Sequence, residues 1–181
     1  MSRQEERTLT EMYSANTYVV TTTYYPDTTD IRYALAEELC RLANKYRIHT
    51  FISDDSPQHV SAQTQPFGSV QGEYVHVFRQ SEEYLGKGGG LRQSIQHAID
   101  FIREQHPESP QDALEESAIV FAEPEKTDLM NHLGGVTKPL LAGQMDVVVP
   151  RRKDDSFRAT YPIEQYHSES FGNLHFDGLA Q

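Results

Sequence analysis

Apolar and polar residues along the chain alternate between two periods. Residues 16–25, NTYVVTTTYY, are rich in β-branched and aromatic side chains and stop at Pro26, which predicts a first strand. Residues 27–46 then place Ile31, Leu35, Leu39, Leu42 and Tyr46 at helical spacing, with Thr28, Thr29 or Asp30 available as a cap. RIHTFIS (47–53) and EYVHVFRQ (73–80) read as strands two and three. A glycine tract opens a second helix over 88–105, repeating Leu91, Ile95, Ala98, Ile99 and Ile102. SAIVFAE (117–123) predicts strand four. Residues 127–143 predict a helix broken near Gly134, Gly135 and Pro139, and MDVVVPRR (145–152) predicts strand five.

Strands alternating with helices imply α/β architecture: a mostly parallel central sheet with helices on both faces, a three-layer sandwich. The expected organisation is a flexible N-terminus (1–15), an α/β domain (16–152) and a C-terminal extension (153–181) packed on that domain. HPESPQDALEES (106–117) reads as a surface loop inside the domain. The chain of 181 residues is long enough for one domain with its own core. Its charge of −11 argues against general nucleic-acid binding, which needs a basic face. No apolar run approaches the roughly 20 residues of a membrane span, and the charged start is unlike a secretory signal. Cytoplasm is the expected compartment. The single cysteine, Cys40, sits among helical apolar residues and reads as an inert buried thiol.

In parallel sheets ligands bind outside the carboxyl ends of the strands, so the polar residues there carry the functional argument. Asp54 and Asp55 follow strand two in SDDS, where each carboxylate can accept from a base N–H or a ribose hydroxyl. The plainer alternative is an Asx-turn. In LGKGGGLRQS (85–94) glycines permit close backbone approach to a phosphate, and the helix N-terminus offers free N–H groups. The glycine–lysine order is not that of a Walker A loop, and a flexible loop opening a helix is the competing reading. After strand four, Glu123-Pro124-Glu125 places alternate carboxylates on one side of an extended chain, suited to a hard divalent cation. Here the alternative is a helix start enriched in acids.

In order, SDDS, GKGGGL and EPE resemble the pattern of the GT-A-fold nucleotide-diphospho-sugar transferases, over about residues 16–152. That family carries a DDxS-like turn, a GKGxAL loop and a DxD metal motif; glutamates stand here in place of the last aspartates. The resemblance implies a glycosyltransferase that moves a sugar from a nucleotide-diphosphate donor to an acceptor. It implies that Asp54 or Asp55 contacts the base and that Lys87 and Gly88 meet the diphosphate. Glu123 would lie near the ribose or sugar, and Glu125 would ligate Mg²⁺ or Mn²⁺. Thr21, Thr22 and Thr23 would hold the base edge, with Tyr24 or Tyr25 stacking on it or simply packing. No motif selects a catalytic base among Glu164, Glu169 and Asp177. His132, His167 and His175 are further metal candidates, although lone histidines are more often solvated. The alternative function is a non-catalytic nucleotide-sugar-binding or regulatory protein of the same fold. A nucleotidyltransferase ranks behind both, because its glycine loop should follow the first strand, where TTTYYPDTT stands.

Overall fold

A computed structural model of the chain describes residues 15–150, apart from 28, 58–66, 68, 69, 71 and 85, together with residues 163, 167, 170 and 171. The chain divides into two compact units, Met1–Val148 and Val149–Gln181. The first unit runs β1 (Thr17–Thr23), α1 (Ile31–Tyr46), β2 (Thr50–Asp54), β3 (Val75–Arg79), α2 (Gly86–Gln105), α3 (Pro110–Glu115), β4 (Ala118–Phe121) and α4 (Leu129–Leu141). The four strands form one all-parallel sheet in the order β3-β2-β1-β4. The architecture is therefore α/β, with helices on both faces of the sheet.

The two faces divide by strand alternation. Val19, Ile52 and Val120 face a core shared with Leu39, Cys40 and Ala43 of α1 and Met130 and Leu133 of α4. Tyr18, Val20 and Phe51 face the opposite core, against Ala98 and Ile102 of α2. β1 and β2 are buried on both sides, as central parallel strands are, with threonine, serine and aspartate among their buried residues. Each aliphatic side chain removed from water there contributes about 1.5–3 kcal/mol. Asp30 is the cap of α1, accepting a 2.9 Å hydrogen bond from the Arg32 N–H. Cys40 is fully buried, and burial pushes its thiol up to about 12. That fits the inert thiol expected for it.

Several boundaries differ from expectation. Residues 145–150 form no strand: Met145, Val147 and Val149 are exposed, so this apolar run neither pairs nor enters a described core. Helix α4 continues through Gly134, Gly135 and Pro139, because Met130, Leu133 and Thr137 anchor its buried face. Pro139 lies near its end, where little of the ladder remains to lose. The segment after α2 contains a helix, α3, with Pro110 in its first turn. The expectations for residues 1–14 and for most of 153–181 lie outside the described residues.

Chain order positions the site. The chain lays down β1, β2 and β3 in one direction, then returns across the sheet to place β4 on the other side of β1. The topological switch point therefore falls between the carboxyl ends of β1 and β4. Buried polar groups of α2 tie the carboxyl ends of β1, β2 and β3 together. The Ser94 hydroxyl donates to the Thr21 carbonyl at 2.7 Å and accepts from the Ser53 N–H at 3.0 Å. The Gln93 amide oxygen accepts from the Ser53 hydroxyl and the Ser81 N–H, while its nitrogen donates to the Arg79 carbonyl.

Candidate functional site

A cleft of about 320 Å³ opens at that switch point. Thr22, Thr23, Tyr24 and Tyr25, leaving β1, form one wall; Phe121, Glu123, Pro124 and Glu125, leaving β4, form another. Asp55 after β2, Gln80 after β3, Arg32 from α1 and Gly86 and Lys87 from α2 complete the lining.

The two aspartates separate in role. Asp54 is the last residue of β2, paired in register with Thr23, and is buried beneath the cleft. Its Oδ1 accepts from the Thr23 hydroxyl at 2.8 Å and the Ser56 hydroxyl at 2.6 Å. Asp55 is exposed and lines the cleft. Among the threonines, Thr22 and Thr23 reach the cleft, while Thr21 is fully buried below it.

The glycine tract is part of α2 rather than a loop before it. Gly86 has a φ of +67°, in the left-handed region that favours glycine. A Cβ on Gly89 would come within 2.5 Å of the Tyr84 backbone. One on Gly90 would come within 2.3 Å of the Gln80 amide oxygen and 2.5 Å of the Thr22 hydroxyl. Those three glycines are explained by the fold. Gly88 has open space around it and does not line the cleft.

The Glu-Pro-Glu segment is a turn, not extended chain: the Lys126 N–H donates to the Glu123 carbonyl at 2.9 Å across Pro124 and Glu125. Pro124 sits where a turn prefers proline. Both glutamates still line the cleft. Glu123 pairs with Lys87 at 3.2 Å, a contact spanning 36 residues of sequence. The Lys87 ammonium also lies 5.9 Å from the centre of the Phe121 ring. Both members of the pair are solvent-accessible, so the bridge itself is worth no more than about 1 kcal/mol.

Three lining residues carry no motif in the sequence. Arg32 stands at the start of α1, where Asp30 engages its Nε and Nη2. That pairing holds the Asp30 carboxyl below its usual range. The Arg32 guanidinium lies 5.7 Å from the centre of the Tyr25 ring. Gln80 donates through Nε2 to the carbonyls of Tyr84 and Gly86, fastening the approach to α2. Phe121 ends β4 and is 43% exposed. Two buried polar atoms of the lining, the Tyr25 hydroxyl and the Gln80 Oε1, have no hydrogen-bond partner among the described residues. Each such atom costs about 1–3 kcal/mol, and such costs collect at functional sites. Burial, followed by the charge of Glu125, raises the Tyr25 hydroxyl well above the ordinary phenol range.

Other candidates lie elsewhere. His132 pairs with Asp128 on the exposed face of α4. His167 is exposed, and Glu164, Glu169, His175 and Asp177 lie outside the described residues. No group of three or more His, Cys, Asp or Glu side chains is placed to hold a metal among the described residues. No described helix is long and apolar enough to cross a membrane. Comparison with protein-family models, with curated proteins and with solved structures returned no match.

Proposed function

We propose that the cleft binds a nucleotide-diphosphate sugar together with Mg²⁺ or Mn²⁺, and that the protein transfers the sugar to an acceptor. The observation that carries this reading is convergence. Thr22, Thr23, Asp55, Lys87, Glu123 and Glu125 come from four separate stretches of sequence and line one cleft at the switch point of a parallel sheet. The resemblance of SDDS, GKGGGL and EPE to the nucleotide-diphospho-sugar transferases supports it independently. In this reading Lys87 and the first amides of α2 meet the diphosphate. Gly88, which the fold leaves free to be any residue, keeps that approach open.

Charge supports a metal partner. The lining holds two cations, Arg32 and Lys87, against three carboxylates, Asp55, Glu123 and Glu125. A diphosphate entering alone would meet net negative charge. The described residues supply too few ligands to cage a metal by themselves, but Mg²⁺ is commonly held by one or two carboxylates plus substrate phosphates. Glu125 is the carboxylate offered for this, since Glu123 is engaged by Lys87. The bound cation would neutralise charge that builds on the departing diphosphate. In transfer, the anomeric C–O bond to the diphosphate breaks, a bond to the acceptor hydroxyl oxygen forms, and the acceptor proton leaves to a base.

A binding protein without turnover is the second reading: the described lining offers only carboxylates as bases, and one of them, Glu123, is engaged by Lys87. A thermal-shift panel of UDP-, GDP- and ADP-sugars, with and without Mn²⁺, tests the common element of both. At about 100 times its dissociation constant a ligand adds roughly 2.7 kcal/mol of stability. Metal-dependent release of free sugar then separates transferase from binder. Absence of any shift across the panel would overturn both.

A further inference from the structure

We infer that the cleft takes the metal chelate of a diphosphate as one unit and resists the free nucleotide and the free cation alike, because the Lys87–Glu123 ion pair has to exchange both of its partners together. The inference rests on the reading of the cleft as a nucleoside-diphosphate site. The Lys87 ammonium lies 3.2 Å from a Glu123 carboxylate oxygen. The two come from different elements, Lys87 from the first turn of α2 and Glu123 from the turn after β4. Both line the cleft and both are solvent-accessible, so a solute can reach either one. The other cation of the lining, Arg32, is engaged by Asp30 through Nε and Nη2. Glu125 stands in the same turn as Glu123, and Lys87 does not engage it.

An ammonium only donates and a carboxylate only accepts. A phosphate that takes Lys87 for itself leaves the Glu123 carboxylate unpaired beside a second anion. A cation that takes Glu123 leaves the Lys87 ammonium unpaired beside a second cation. Either ligand alone therefore breaks the pair and sets a like charge next to the group it frees. The chelate does neither. Its phosphate pairs with Lys87, and its cation meets Glu123 and Glu125, so both members of the broken pair regain a partner of opposite sign. Two carboxylates plus substrate phosphates are a common ligand set for Mg²⁺. Coupling of this kind is reciprocal: nucleotide raises the affinity for metal by the factor by which metal raises the affinity for nucleotide, each referred to the free species. An exposed pair is worth up to about fivefold in an equilibrium constant, which sets the size of the effects below.

The test is titration calorimetry of UDP, GDP and ADP, in EDTA and in Mn²⁺, and of Mn²⁺ alone, into the full chain and its variants. The wild type is expected to bind nucleotide more tightly with Mn²⁺ than without. Glu123→Gln cannot hold Lys87 by charge, so it should bind the metal-free nucleotide about two- to fivefold more tightly than the wild type and gain less from Mn²⁺. Lys87→Gln should bind Mn²⁺ alone more tightly by a similar factor. Removing a charge also alters the field of the cleft, and Glu125→Gln is the control: it removes the same charge without touching the pair, and should give the smaller gain for metal-free nucleotide. In a Lys87→Gln background the advantage of Glu123→Gln over Glu125→Gln should vanish. Melting curves check that each variant folds, and the nucleotide and metal arms each test the inference separately. Equal gains from Glu123→Gln and Glu125→Gln, an advantage that persists without Lys87, or nucleotide binding that Mn²⁺ does not change would overturn the inference and leave the cleft reading intact. Failure of every nucleoside diphosphate to bind, with or without Mn²⁺, would overturn the cleft reading itself.

Discussion

Four glycines within five residues look interchangeable in the sequence, yet the fold assigns them different work. Gly90→Ala should destabilise the protein by about 1–3 kcal/mol, since its methyl group would press on Gln80 and Thr22. Gly88→Ala should stabilise it by up to about 1 kcal/mol, because the site is helical and open. Denaturant titration of both variants checks the contrast, and equal effects would contradict it. The adjacent aspartates divide in the same way. Asp54→Ala removes the buried acceptor of the Thr23 and Ser56 hydroxyls and should cost about 1–3 kcal/mol. Asp55→Asn should stay within about 0.5 kcal/mol. The sequence marks the pair as a strand end. It does not show which carboxylate is buried, because that depends on the pairing of Asp54 with Thr23 across the sheet. Arg32 and Gln80 were illegible for a related reason: nothing local distinguishes a helix-start arginine or a strand-end glutamine from a solvated one.

At the scale of elements, β1 to β4 and the helices α1 and α2 were legible because their apolar periods agree with their burial. The run at 145–150 has strand composition without a partner strand, and composition alone cannot supply one. Helix α4 shows the reverse, since buried anchors carry it through residues that locally disfavour helix. Strands β2 and β3 also bring together a pair no motif announced. His49, just before β2, places Nδ1 3.0 Å from Nε2 of His76 in β3. The rings pack among Tyr18, Phe51, Tyr74 and Phe101. Burial lowers both histidines, His76 to about 4, with His49 adding to the shift. A lowered folded value means that the unfolded chain takes up protons first. Stability is therefore undiminished above pH 6.5, falls as the pH drops toward 4, and levels off below. For rings only partly buried the loss is on the order of 1–2 kcal/mol. Urea unfolding of the wild type and His76→Gln at pH 7 and pH 4.5 should show a smaller pH-dependent loss in the variant. An equal loss in both would contradict this account.

For the whole molecule, the alternation of periods was sufficient to predict a parallel sheet between helices. The switch point follows from strand order, which the sequence does not display. Once β4 lies beside β1, the polar stretches after β1 and β4 must meet, and α2 brings Lys87 to them. Hydrogen exchange of the full chain, with and without Mn²⁺ and the nucleotide sugar that raises its melting temperature most, tests the claim that this edge is the ligand site. The account predicts slowed exchange in residues 22–25, 86–91 and 121–126, with residues 98–105 at the far end of α2 unchanged. Protection confined to other segments, or none at saturating nucleotide, would contradict it.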